Sequence, residues 1–108
     1  MEAIVIKPNE KNVEVIERDT PFELEELQEL VGGLIEVVPD KIDLRNINGY
    51  ETESSALGYM GVWKLMVVNE EGLILGLPYN EKATNLLTHF NPYGIRGTAV
   101  LMDEGLLE

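Results

Sequence analysis

A helix start set between β-branched runs most narrows the folds open to this chain. Thr20-Pro21-Phe22-Glu23 has the composition of a capping box, with Thr20 as N-cap, Pro21 at the first helical position and Glu23 reaching back. Beyond it Leu24, Leu27, Leu30 and Val31 recur at three- and four-residue spacing, while Glu23, Glu25, Glu26 and Glu29 fall on the other side. Gly32-Gly33 supplies the stop. Upstream, Met1–Ile6 reads as a strand buried on one or both faces, Pro8–Asn12 as a turn and Val13–Glu17 as a second strand, together a hairpin. Downstream, Leu34–Val38 reads as a strand ended by Pro39-Asp40.

The second half repeats the pattern after an interruption. Residues 42–61 are polar, rich in turn formers and short of apolar periodicity, so they read as a long connection and the first candidate for a binding segment. Val62–Val68 and Leu73–Leu77 read as a second hairpin about the turn Asn69-Glu70-Glu71-Gly72. Asn80 then caps a helix with Ala83, Leu86, Leu87 and Phe90 on its apolar face, ended by Asn91-Pro92-Tyr93-Gly94. Ile95–Met102 makes a last strand, and residues 103–108 a short tail. The pattern predicts an α+β fold: a single domain over residues 1–108, with a mixed, mostly antiparallel sheet and two helices in the order ββαβ-loop-ββαβ.

Charge excludes one large class of function. Twenty carboxylates face eight Lys or Arg, a formal charge of −12, and the cations stand singly along the chain. A surface that tracks phosphates needs a basic stripe, so direct nucleic-acid binding is not expected. No apolar run reaches membrane-spanning length, and Met1–Lys7 lacks the layout of a signal peptide, so the expected location is cytoplasmic without membrane contact. Cysteine is absent, which removes disulfides and thiolate chemistry.

Little in the chain points to catalysis. The one histidine, His89, lies near the end of the second helix, where capping or packing explains it. No metal-ligand spacing or phosphate-loop motif occurs, so no catalytic residue, metal or cofactor is assigned. Binding is better served. Asn80 opens a helix whose N–H groups point towards Leu77-Pro78-Tyr79, and Arg96 on the last strand would complete an anion site if it lay nearby. Tyr50, Tyr59, Trp63, Tyr79 and Tyr93 sit in or beside connections, where aromatic rings stack on flat ligands or anchor interfaces. The candidate ligand-binding set is Tyr79, Asn80, Arg96, Tyr59 and Tyr50.

Five stretches together resemble a family of small domains of unknown function from phages, plasmids and conjugative elements, mainly of Firmicutes and relatives. They are Ala3–Pro8, Gly33–Val38, Val68–Gly72, Leu75–Asn80 and Ile95–Val100. The resemblance leaves 42–61 unmatched and carries no catalytic residues. It implies an accessory role through stoichiometric binding of a host protein or a small anionic, nucleotide-like ligand. Two other readings stand beside it: an acidic DNA mimic that blocks a restriction or other nucleic-acid enzyme through Glu25, Glu26 and Glu29, and a small hydrolase using carboxylates. A homodimer through a sheet edge or the Trp63 strand fits the pattern equally well.

Overall fold

Unbroken burial along three strands organises the molecule, whose computed structural model describes residues 2–10, 13–43, 63–87 and 93–107. The elements are β1 (Glu2–Ile6), β2 (Glu14–Glu17), α1 (Leu24–Val31), β3 (Ile35–Asp43), β4 (Trp63–Asn69), α2 (Glu81–Thr84) and β5 (Ala99–Met102), followed by a 3-10 turn at Glu104–Leu106. The strands form one sheet in the order β2-β1-β5-β4-β3, and every neighbouring pair is antiparallel. The architecture is thus a small α+β domain, with two helices among the described residues.

β1, β5 and β4 are apolar on both sides, as expected of strands covered on both faces. Ala3, Val5, Val67, Val100 and Met102 point to one face, where they meet Phe22, Leu27 and Val31 from the α1 segment and Leu106 from the C-terminal turn. Ile4, Ile6, Met66, Val68, Ala99 and Leu101 point to the other, against Val38, Ile42, Ile95, Ala83 of α2 and Leu86 just beyond it. Each fully buried aliphatic side chain contributes roughly 1.5–3 kcal/mol. The first and last strands lie side by side at the centre of the sheet, with Ile4 opposite Leu101 and Val5 opposite Val100.

The predicted helix exists but starts later than the capping-box pattern indicates. Its N-cap is Glu23, whose N–H donates to the Glu26 carboxylate at 2.9 Å. Thr20 and Pro21 are held outside the helix by Arg18, which donates from Nε to the Thr20 carbonyl at 2.8 Å and from a terminal nitrogen to the Pro21 carbonyl at 3.1 Å. The Phe22 N–H is taken by the Leu106 carbonyl at 2.8 Å, so Phe22 is extended and pairs with Leu107. The same guanidinium grips Glu26 at 2.8 and 3.2 Å and lies 4.1 Å over the Phe22 ring. With Leu27 and Val31 facing the sheet, Leu24 is left half exposed.

Two strand boundaries also differ from the sequence reading. β3 does not end at Pro39-Asp40 but runs on to Asp43, with a register shift between Val37, opposite Val67, and Lys41, opposite Leu65. A proline has no ladder N–H, and the irregularity absorbs it on a strand that, among the described residues, has one neighbour in the sheet. The expected strand Leu73–Leu77 is instead part of a turn over residues 70–76, closed by Leu75 N–H to the Glu71 carbonyl at 2.8 Å and Leu77 N–H to the Gly72 carbonyl at 3.0 Å. The second predicted hairpin is therefore absent, and the expected order ββαβ-loop-ββαβ lacks that strand. The last strand is shorter than predicted, because Ile95–Thr98 precede β5 as a separate segment. Of the connection 42–61, Ile42 and Asp43 belong to β3, and the remainder lies outside the described residues.

The Arg18–Glu26 pair has a pH consequence. The guanidinium and the Glu23 N–H both favour the charged Glu26 carboxylate and lower its pKa from the ordinary 4.5. The unfolded chain then binds this proton first as pH falls, so the contribution is complete above the unfolded pKa and is lost as pH drops through the lower, folded one. Glu26→Gln should flatten the acid side of the stability profile, measured by urea denaturation between pH 6 and 3, while leaving a helical spectrum.

Candidate functional site

Two short segments meet beside the sheet and bring three predicted residues together. Tyr79 and Arg96 face each other as an antiparallel bridge, flanked by Asn80 N–H to the Ile95 carbonyl at 2.7 Å and Gly97 N–H to the Pro78 carbonyl at 2.8 Å. Thr84 fastens the pair from α2: its hydroxyl donates to the Asn80 carbonyl at 2.7 Å and accepts the Ile95 N–H at 2.8 Å. The Arg96 guanidinium lies 5.7 Å from the centre of the Tyr79 ring, within reach of a cation–π contact.

Asn80 has a structural office here. It is completely buried, and its carboxamide donates to the carbonyls of Ile6 and Gly97, both at 2.9 Å, while accepting the Ala83 N–H at 3.1 Å. The cap predicted from sequence is present, but its helix is one turn of four residues and its oxygen already serves the backbone. The helix start is thus not an open anion site. Asn80 holds the Tyr79–Arg96 bridge in place through its bonds to the carbonyls of Ile95 and Gly97.

Arg96 is the polar group left over. It is half-buried, and its Nε is shielded from solvent with no hydrogen-bond partner among the described residues. An arginine does not shed its charge, and an unmet buried donor costs about 1–3 kcal/mol. Arg96 borders a half-open depression of about 230 Å³, smaller than the roughly 300–1,000 Å³ of most ligand pockets, with Glu36, Asn69, Glu70, Leu73 and Tyr93 also in its wall. Asn69, buried like Asn80, supports this wall: it donates to the Val31 carbonyl at 3.1 Å and accepts the Glu71 N–H at 2.7 Å, tying the end of α1 to the turn.

A second depression, of about 280 Å³, lies between Arg18, Phe22, Glu26, Glu29 and Leu30. Its cation is already matched by Glu26, so it has little to offer an anion. The same pairing removes Glu26 from the acidic helix face, leaving Glu23, Glu25 and Glu29 exposed there. Tyr50, Tyr59 and His89 lie outside the described residues. Among the described residues no group of three or more His, Asp or Glu is placed to hold a metal ion, and no helix is long and apolar enough to cross a membrane.

Sequence reasoning missed Gly72 and the partnership of Glu36, Glu70 and Tyr93 with Arg96. Gly72 was legible only as a turn glycine. In space, a Cβ on it would stand 2.7 Å from the Arg96 carbonyl, and one on Gly94 would run into the Tyr79 ring. Both glycines let the Tyr79–Arg96 bridge approach its neighbours. No protein-family model, curated protein or solved structure matches the chain. The likeness to the mobile-element family rests on the motifs alone.

Gly72→Ala must push backbone against backbone, so it should destabilise the fold by about 1–3 kcal/mol, the usual range for overpacking. Asn80→Ala leaves two carbonyls and one N–H unmet and should cost about 3 kcal/mol. Urea denaturation of both variants checks these values.

Proposed function

We propose that the protein is a non-enzymatic accessory binding protein that takes a small anionic, nucleotide-like ligand at the Arg96 depression. The observation that supports this reading is the unpartnered Nε of a permanently charged arginine whose side chain borders a small, half-open hollow. Guanidinium groups bind phosphate and carboxylate in paired hydrogen bonds, and the exposed Tyr93 ring beside Arg96 offers a flat surface for stacking. The carboxylates of Glu36 and Glu70 share the wall and disfavour a bare anion. A ligand with an anionic group at one end and N–H donors at the other satisfies both signs, as a nucleotide does. Stoichiometric binding also agrees with the accessory role that the motif resemblance to phage and plasmid domains implies.

Titration calorimetry of the full chain against nucleoside mono-, di- and triphosphates tests the reading, with inorganic phosphate for comparison. One-to-one binding is expected for at least one nucleotide, with Arg96→Gln weakening it about ten- to a hundredfold, the range for charge-assisted hydrogen bonds. Absence of binding across the panel, or affinity unchanged in Arg96→Gln, would overturn it.

A further inference from the structure

The turn over residues 70–76 shows to solvent what a stable fold normally hides. Leu73, Ile74 and Leu75 are 50%, 82% and 55% exposed, and Tyr79 and Tyr93, on the segments packed beside the turn, are 46% and 65% exposed. Isolated exposed aliphatic side chains are common on any surface, but here three stand in succession, Leu73 shares the wall of one depression with Tyr93, and the Tyr79 ring lies against Gly94 next to Tyr93. Nor is the turn a loose excursion. Its start is tied to the chain before β3 by Glu70 N–H to the Leu34 carbonyl at 2.8 Å, its middle is closed by the Leu75–Glu71 and Leu77–Gly72 hydrogen bonds, and Gly72 sits against the Arg96 backbone. The apolar triplet is therefore held out in one shape, and a surface ordered beforehand loses less entropy on binding.

From this we infer that the turn Glu70–Gly76, with Tyr79 and Tyr93, is a docking surface for a basic amphipathic segment of another protein, apolar on one side and bordered by Lys or Arg. Charge selects this occupant. Exposed Glu70 and half-buried Glu71 open the turn, exposed Glu36 lines the depression beside it, and exposed Glu81 follows Tyr79 and Asn80. The whole chain carries −12, so a second copy brings strong like-charge repulsion to the contact, and an anionic bilayer is repelled in the same way. A segment with its own cations gains on both counts, covering Ile74 with apolar side chains and setting positive groups beside the carboxylates. Tyrosines at the centre of such a contact are among the side chains that contribute most to binding. The surface shares Leu73 and Tyr93 with the Arg96 depression but needs neither a ligand there nor the guanidinium.

The test uses the full chain and two synthetic peptides of equal length, an amphipathic Leu/Lys helix and its Leu/Glu counterpart, in titration calorimetry. The Leu/Lys peptide is expected to bind one to one and the Leu/Glu peptide not at all. Ile74→Asp should weaken binding at least about tenfold, the effect of losing a central contact residue. Leu24→Asp, which adds the same charge at an exposed leucine on α1, should leave it within about twofold, since it offers only a distant, screened charge. Glu70→Gln with Glu71→Gln should weaken binding by about three- to tenfold and reduce its salt dependence. Equal binding of both peptides, equal loss in Leu24→Asp and Ile74→Asp, or no binding at all would each overturn the inference. Ile74-dependent self-association in sedimentation, or Ile74-dependent flotation with phosphatidylcholine vesicles, would likewise replace the protein segment with a second copy or a lipid surface.

Discussion

The carboxamide of Asn80 joins parts of the chain that nothing in their order would bring together. Its two donors hold the end of β1 and the approach to β5, seventy-four and seventeen residues away, and its oxygen starts α2. Because the side chain is wholly enclosed, these bonds form where water does not compete, and each unmet partner would carry its full desolvation cost. The packing of Ala83 and Leu86, the Tyr79–Arg96 bridge and the placing of Ile95 all follow from that knot. Asn69 does the same on the other side of β4, tying α1 to the turn at 70–76. Two buried amides thus align both halves of the chain with the sheet.

Around these knots the charge is distributed so that −12 is compatible with a closed core. The three central strands are apolar on both sides, and carboxylates lie on the edge strand β2, on the outer side of α1 and on the turns. Glu26, half-buried on α1, is met by Arg18 and by a backbone N–H. Acidity here is a property of the rim, and the apolar exposure at Leu73–Leu75 interrupts it.

Much of this was legible in the sequence, for reasons particular to each element. β1 and β4 read correctly because unbroken apolar runs of strand length leave few alternatives, and Asn80 read correctly as a cap because its position relative to Ala83 is local. The α1 start was misplaced because Arg18 and Leu106, acting from outside the segment, claim the groups a Thr20 cap would need. The strand at 73–77 was misread because three aliphatic residues in a row look buried, and a turn that exposes them has no local signature. Of the candidate site, Tyr79, Asn80 and Arg96 were named from sequence and meet in space, whereas the inward commitment of Asn80 and the approach of Glu36 and Glu70 depend on contacts over long separations.

Pro39 in β3 bears on more than strand length. Among the described residues β3 borders the sheet, and a continuous row of free backbone groups there would be a template on which further strands could add without limit. The register break around Pro39 divides that row into two short pieces, and one position in it has no proton to give. This edge is in this way guarded against edge-to-edge sheet growth, so contacts made by side chains on the turns beside it compete less with an unselective pairing of main chains.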